Sequence, residues 1–574
     1  MAATDLCSEI LKQNTGVQLE EGMEKKICTA LIAHLNDKSL DVQGNAVRCI
    51  QKISSRIREK HLIMIIEVMA DIVVSGEKET RDIYSLAIRG IIGEISDENA
   101  ASMIKAVYPK LMAGFGNAKS EDVREECVDI LAQIFKRFNI LLLKRDDLVK
   151  KDELMLTIPN QLAFQKPSLR KKATNCMGAF AVILNGRQLS LCLKVLIDKI
   201  KDPKSKQDMF TQIQCFSQMA RNIGNRLTKD NIKDVLPVLL NQASSVLREQ
   251  KSVDQDNEIA EASLFAIESV VRRCPREIDQ YIQDILDLSI KLLSFDPNYT
   301  YPLEDEDEKA GFMEDEGEGW GSDFEDENMG NEDDDDSSWK VRRASAKLID
   351  GIFSARPDML RDLYRKYGDL LSSRFKERDI NVKCNILETF HTVLKTAIHS
   401  EQNQGLDFEL SIVPSLARAK SSADELHNFV PQIINRIVKQ LKESKNGKVK
   451  IALMDTLAQL SHVMVNQVAP HFGKILPELE KISNDASSYE LIMDTLTVMR
   501  RLFKTQDAMN LSYFQEFYQK IQAIILRAIA HDYQKVVSEA LRVAGIFVNI
   551  IKGPNGLVDP RFAAVVQPLY AAIR

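Results

Sequence analysis

The chain has 574 residues, 44% of them hydrophobic and 6% aromatic, with two tryptophans. One compact core rarely exceeds about 250–300 residues, so this length means several domains or one extended array. The net charge of −7 hides an asymmetry: residues 303–336 hold 18 Asp/Glu and one Lys, and the rest of the chain is basic by +10. Sparse Gly (24) and Pro (16) favour many helices joined by short turns. Nine scattered cysteines form no CxxC pair and read as buried thiols in a reducing compartment. The start, Met1-Ala-Ala-Thr-Asp5, has no signal-peptide pattern. The best apolar run, Leu62 to Val74, is broken by Glu67 and Asp71 and falls short of the ~18 residues a membrane helix needs. Cytoplasm and nucleus are the expected compartments.

From the N-terminus onward one pattern recurs. An amphipathic helix and a short turn precede a Val, Leu or Ile, with a small side chain four residues later. The clearest copy is Leu31 to Ile50, with Val42 and Ala46 as the pair. Further copies centre on Ile83/Ala87, Val123/Cys127, Leu169/Ala173, Ile213/Ser217, Ile259/Ser263 and Val341/Ser345, and looser ones on Val382, Val449, Leu491 and Val537. Most anchors lie 40–46 residues apart. The interval from Ile259 to Val341 is longer because it contains the acidic segment. That from Val382 to Val449 contains a second polar insertion. Two helices per unit at this period is the HEAT signature. The fold expected is an all-α, HEAT-repeat α-solenoid of about eleven helix pairs with one long acidic loop.

The expected organisation is repeats over 1–302, an acidic loop inserted within a repeat at 303–336, and repeats over 337–399. A second loop at 400–424 and repeats over 425–574 follow, the last incomplete. A solenoid unit cannot bury both apolar faces alone, and stacking builds the core. The small residue four after the anchor lies one turn along the same face, where it permits close helix approach. Basic residues follow the anchor at Arg124, Arg170, Arg342, Lys383 and Lys450. They read as a ladder between repeats.

Chemistry-bearing motifs do not emerge. Gly317 to Gly321 is glycine-rich, but no strand precedes it and no helix follows it. The eight histidines lack HExxH spacing, and no GxSxG elbow occurs. The expectation is no enzyme, no cofactor and no metal. Basic clusters fall on different repeats and form no continuous stripe, so nucleic acid and membranes are not expected partners. The acidic run reads as a solvated polyanionic loop carrying Glu304, Asp305, Asp307, Asp333, Asp334, Asp335 and Asp336.

The flanks of that run carry a family resemblance. Phe265 to Ile278 (FAIESVVRRCPREI) leads to Phe295-Asp-Pro-Asn-Tyr-Thr-Tyr301. After the acids come Asp333 to Lys347 (DDDDSSWKVRRASAK) and Ser373-Arg-Phe-Lys-Glu-Arg378. This order resembles the N-terminal half of the cullin-associated, neddylation-dissociated proteins. The resemblance implies a non-catalytic assembly or exchange factor that binds unneddylated cullin–RING ubiquitin ligase cores. The grip would fall on the cullin C-terminal region and the RING subunit, and would regulate neddylation and assembly of SCF-type complexes. Charge and family position nominate Arg272, Arg273, Trp339, Arg342, Arg343, Arg374, Lys376 and Arg378 as partner-binding residues. The chain has roughly half the family length. Its start reads as a second helix without its first, and Val566 to Arg574 as the first helix of an unfinished repeat. A separate C-terminal half of the same family is therefore a second expected partner, supplying adaptor displacement. An importin-β-like transport receptor, whose acidic loop would precede a helix containing Trp339, is the alternative reading. A generic phosphatase-type scaffold is a third.

Overall fold

The computed structural model describes residues 7, 9–10, 20–116, 120–248, 254–297, 337–402, 422–464, 466–484, 488–504, 510–552, 558 and 560–573. These contain 24 α-helices, and the chain divides into two compact units. Unit 1 is Met1–Ala243 with Phe265–Ile278, and unit 2 is Ser244–Leu264 with Asp279–Arg574.

Unit 1 begins with α1 (Glu21–His34) and α2 (Leu40–Ile53), then α3 (Glu59–Ser75) and α4 (Lys78–Glu94). Next come α5 (Asp97–Gly116) and α6 (Glu121–Arg137), then α7 (Asn139–Lys144) and α8 (Lys151–Gln161) before α9 (Pro167–Ile183). It continues with α10 (Gly186–Lys201), α11 (Lys206–Ile223) and α12 (Lys229–Ser244). The division between units falls inside α13 (Asp254–Arg273). Unit 2 pairs α14 (Ile282–Leu293) with α15 (Ser338–Ala355), α16 (Leu360–Ser373) with α17 (Ile380–Gln402), and α18 (Val430–Glu443) with α19 (Gly447–Val463). Then come α20 (Phe472–Asn484) with α21 (Tyr489–Lys504), α22 (Tyr518–Ile529) with α23 (Gln534–Ile551), and α24 (Ala563–Ile573). Within each unit second helices stack on second helices: α2, α4, α6, α9 and α11 in unit 1, and α15, α17, α19, α21 and α23 in unit 2. This is the expected all-helical repeat solenoid, with eleven pairs followed by α24 among the described residues. The expected acidic loop lies outside the described residues, as does most of the second insertion.

Local chemistry fixes the helix ends. Asn185 and Gln188 form a reciprocal capping box at the start of α10. Asn446 Oδ1 accepts from the backbone N–H of Lys448 and Val449 to open α19. Gly224, at φ 58°, ends α11 in a conformation that costs glycine little. The small positions do what close packing requires. Ala46, Ala87, Cys127, Ala173, Ser263 and Ser345 are all buried. At Gly178 a Cβ would sit 2.6 Å from Asn222 Nδ2 and 2.7 Å from Gln218 Cγ, so α9 and α11 meet only because that position is glycine.

Two expectations need correction. The last anchor is Val536 rather than Val537: Val536 is fully buried beside Ala540 and Val537 half-buried, a one-residue shift in register. The ladder between repeats exists, through Arg124, Arg342 and Lys383 among the expected residues, with Arg342 reaching Glu377 in the turn of the next pair, and through other residues as well. Lys172 of α9 lies 3.2 Å from Glu125 and 3.0 Å from Glu126 of α6, and Arg89 of α4 pairs with Asp129 of α6. Arg170 instead donates to the carbonyls of Phe164 and Gln165, in the turn before its own helix. Its guanidinium satisfies that turn and so has no reach left for a neighbour. Arg124 lies over the Phe164 ring at 4.8 Å, and Lys383 donates to Gln440 Oε1 at 2.9 Å, so these two do cross to the next repeat. Burial pushes Glu125 up, but hydrogen bonds from Lys166, Ser168 and Lys172 outweigh it and hold the carboxyl below its usual range.

Candidate partner-binding surface

The residues flanking the acidic run converge on a buried ionic cluster in unit 2. Arg342, one turn into α15, is fully buried. Its Nη1 donates to Phe295 O at 3.0 Å and Ser338 Oγ at 2.8 Å, and lies 3.4 Å from Asp296 Oδ2. Its Nε is 3.1 Å from Glu377 Oε2. Arg374 reaches the same carboxylate oxygen at 3.1 Å, and Arg378 Nε donates to Asp296 Oδ2 at 2.8 Å. Three arginines thus surround two carboxylates whose side chains have no solvent exposure. A charge this deep is tolerated only when paired, as these are, although Nε and Nη2 of Arg342 make no hydrogen bond. The consequence is geometric: Arg342 holds Phe295 and Asp296, just before the acidic run, against Ser338, just after it.

This corrects part of the sequence-based nomination. Arg342 and Arg374 are buried and consumed by Asp296, Glu377 and backbone carbonyls, so they hold the repeat together and present nothing to a partner. Arg378 is partly exposed but committed to Asp296. Arg343 pairs with Glu261 at 2.9 Å, and its guanidinium carbon lies 4.9 Å from the centre of the half-buried Trp339 ring. Lys376 is half-buried. In unit 1, Arg272 and Arg273 are exposed at the end of α13, with Arg272 donating to Glu268 at 2.8 Å. The structure therefore gathers Arg342, Arg374 and Arg378 into one cluster, while Trp339 and Arg343 form a separate contact. The nominated acidic residues from Glu304 to Asp336 lie outside the described residues.

Sequence reading missed a second polar cluster, on α17, α19 and α21. Burial, then the charges of Asp455 and Glu490, push the Asp494 carboxyl up to about 7. His391 is pushed down by burial, against the pull of Asp455. An unfolded aspartate titrates near ~3.9. The folded chain therefore holds the Asp494 proton to higher pH than the unfolded chain does. The group's contribution to stability falls as pH rises from about 4 and is most unfavourable above about 7. Discounted for partial exposure, Asp494→Asn is expected to stabilise by about 1–2 kcal/mol at pH 8, with the gain shrinking toward pH 4. Urea unfolding of both proteins at pH 8 and pH 5 checks this, and a pH-independent difference would contradict it.

Among the described residues no cluster of His, Cys, Asp and Glu could hold a metal ion, and no helix is long and apolar enough to cross a membrane. The scaffold offers surfaces and grooves.

Comparison with known proteins bears on what those surfaces serve. A family model described as "CAND1-like, TPR repeats" matches residues 466–574. The cullin-associated NEDD8-dissociated protein 1 of Arabidopsis thaliana is 29% identical over 581 residues, covering 100% of this chain and 44% of that protein. The chain is a homologue of the N-terminal part of the cullin-associated NEDD8-dissociated proteins. It spans less than half the length of the curated relatives it matches. In Emericella nidulans a protein described as the "C-terminal part" of cullin-associated NEDD8-dissociated protein 1 is 26% identical, covering 52% of this chain and 35% of that protein. Among solved structures, a crystal structure of importin beta aligns with a TM-score of 0.55 at 12% identity, covering 99% of this chain and 64% of that one. At that identity the likeness concerns the fold alone.

Proposed function

We propose that this chain is a non-catalytic assembly factor for cullin–RING ubiquitin ligases, gripping the unneddylated cullin C-terminal region and its RING subunit. The observation that carries this reading is similarity along the whole chain to cullin-associated NEDD8-dissociated protein 1. The helical-repeat architecture supports it, because stacked helix pairs present extended surfaces to large partners. The nominated residues that keep some side-chain surface are Arg272 and Arg273 in unit 1 and, separately, Trp339, Arg343, Lys376 and Arg378 in unit 2. Residues 303–336 act in this reading as a polyanionic loop inserted within one helix pair. Adaptor displacement falls in this reading to a C-terminal part, such as the relative so described in Emericella nidulans.

The test is co-elution of the purified chain with an unmodified cullin–RING core on size exclusion, beside a parallel run with the GTP-loaded Ran GTPase. Co-elution with the cullin core alone is expected. Retention of Ran and not of cullin would replace this reading with that of a transport receptor.

A further inference from the structure

Two exposed tyrosines in unit 2 stack on each other where α21 and α23 begin. Tyr489 opens α21, and Tyr533 immediately precedes α23. Their ring centres are 4.7 Å apart at an interplanar angle of 51°. They are 46% and 36% exposed, so the pair keeps much of its aromatic surface open. Carboxylates surround it. Tyr489 Oη donates to Glu490 Oε1 at 3.4 Å, and exposed Asp532 precedes Tyr533. Glu490 and Asp494 stand four residues apart, so they share one face of α21, about 6 Å apart along its axis. From α19 comes the exposed Asp455, whose charge acts on Asp494 together with that of Glu490.

The adjoining helices do not balance this charge. At a second-helix junction in unit 1 they do: Lys172 of α9 serves Glu125 and Glu126 of α6. At the junctions of α19, α21 and α23, by contrast, Asp455, Glu490, Asp494 and Asp532 form no ion pair among the described residues. Arg501, two turns along α21 from Asp494, donates to Gln459 at 2.8 Å instead. His391 of α17 also faces Asp455, but burial favours its neutral form. Asp494 Oδ2 is buried without a hydrogen-bond partner. Open aromatic faces beside unpaired carboxylates suit one chemistry, a cationic side chain with a flat face.

We propose that Tyr489, Tyr533, Glu490, Asp494 and Asp455 form a docking site for an arginine-rich segment of a partner protein. One guanidinium lies on the tyrosine pair with its N–H groups toward Glu490. A second, further along α21, enters between Asp494 and Asp455. Arginine fits better than lysine, because a planar guanidinium both stacks on an aromatic ring and gives two parallel hydrogen bonds to a carboxylate. An acidic segment would meet like charge, which is strongly unfavourable in an interface. This site is independent of the cullin reading and is tested without a cullin.

The experiment is fluorescence anisotropy of the full chain with a short labelled peptide of alternating Arg and Gly. The control is the same peptide with every Arg replaced by Glu. The Arg peptide is expected to bind with a Kd on the order of 10 micromolar and the Glu peptide at least about tenfold more weakly. The acidic residues of 303–336 also attract a basic peptide, so two variants that leave them intact decide the site. Tyr489→Ala with Tyr533→Ala, which changes no charge, is expected to weaken the Arg peptide about fivefold. Glu490→Gln with Asp494→Asn is expected to weaken it about tenfold. Both variants should keep their helical circular dichroism, as neither removes a fully buried side chain. An Arg-peptide affinity unchanged in either variant, or equal binding of the Arg and Glu peptides, would overturn the proposal.

Discussion

Arg342→Leu is expected to destabilise unit 2 by about 3–5 kcal/mol, the range for breaking a buried ion pair by removing one partner. The cause is what remains behind. Asp296 and Glu377 stay buried with no solvent exposure, while the donors to Phe295 O and Ser338 Oγ disappear. Arg374 and Arg378 compensate only in part, as each already reaches one of these carboxylates. Arg342→Lys should recover little, because one ammonium cannot reach both Asp296 and Glu377, which face different nitrogens of the guanidinium. Arg343→Leu is the control: it removes a pair with some exposure on both sides and should cost about 1 kcal/mol or less. Urea denaturation followed by circular dichroism reads all three. A cost for Arg342→Leu no larger than that for Arg343→Leu would refute the account of this cluster.

Phe472→Ala is expected to cost about 3–5 kcal/mol, through lost burial and the cavity left behind. Phe472 opens α20 with no solvent exposure. Its ring sits edge-on to Phe514 at 4.9 Å and to Phe517 at 5.6 Å, and tilted to Phe503 at 6.4 Å. It thus joins α20 to the second helix of its own pair and to the 3-10 turn at Asn510–Phe517 that leads into the next. Edge-to-face aromatic pairs add about 0.5–1.5 kcal/mol each beyond burial, and these are lost together. Phe472→Leu should cost clearly less than Phe472→Ala. The melting temperatures of the two variants decide this. A Phe472→Leu melting temperature equal to that of the unmutated chain would mean the aromatic cluster adds nothing beyond bulk.

The repeat was legible because its signal is local. An apolar anchor and a small residue four later sit on one helix face, and Val123/Cys127 or Leu169/Ala173 state that in the sequence itself. A second local signal was there to be read. Pro109, Pro159, Pro237, Pro477 and Pro568 all fall inside first helices, where the missing N–H and ring clash favour a kink. The candidate surface was less legible. Arg342 and Arg343 are adjacent in sequence, yet one is sealed between Asp296 and Glu377 and the other lies over Trp339. Asp296 and Glu377 stand 46 and 35 positions from Arg342, so no local pattern separates a clamp from a binding residue.

The most direct test of the central claim is a titration of the full chain against one cullin–RING core in two states, unmodified and NEDD8-modified. Isothermal calorimetry is expected to give at least about tenfold tighter binding to the unmodified core, a difference of about 1.4 kcal/mol. Equal affinity for the two states, or no binding to either, would contradict the assignment.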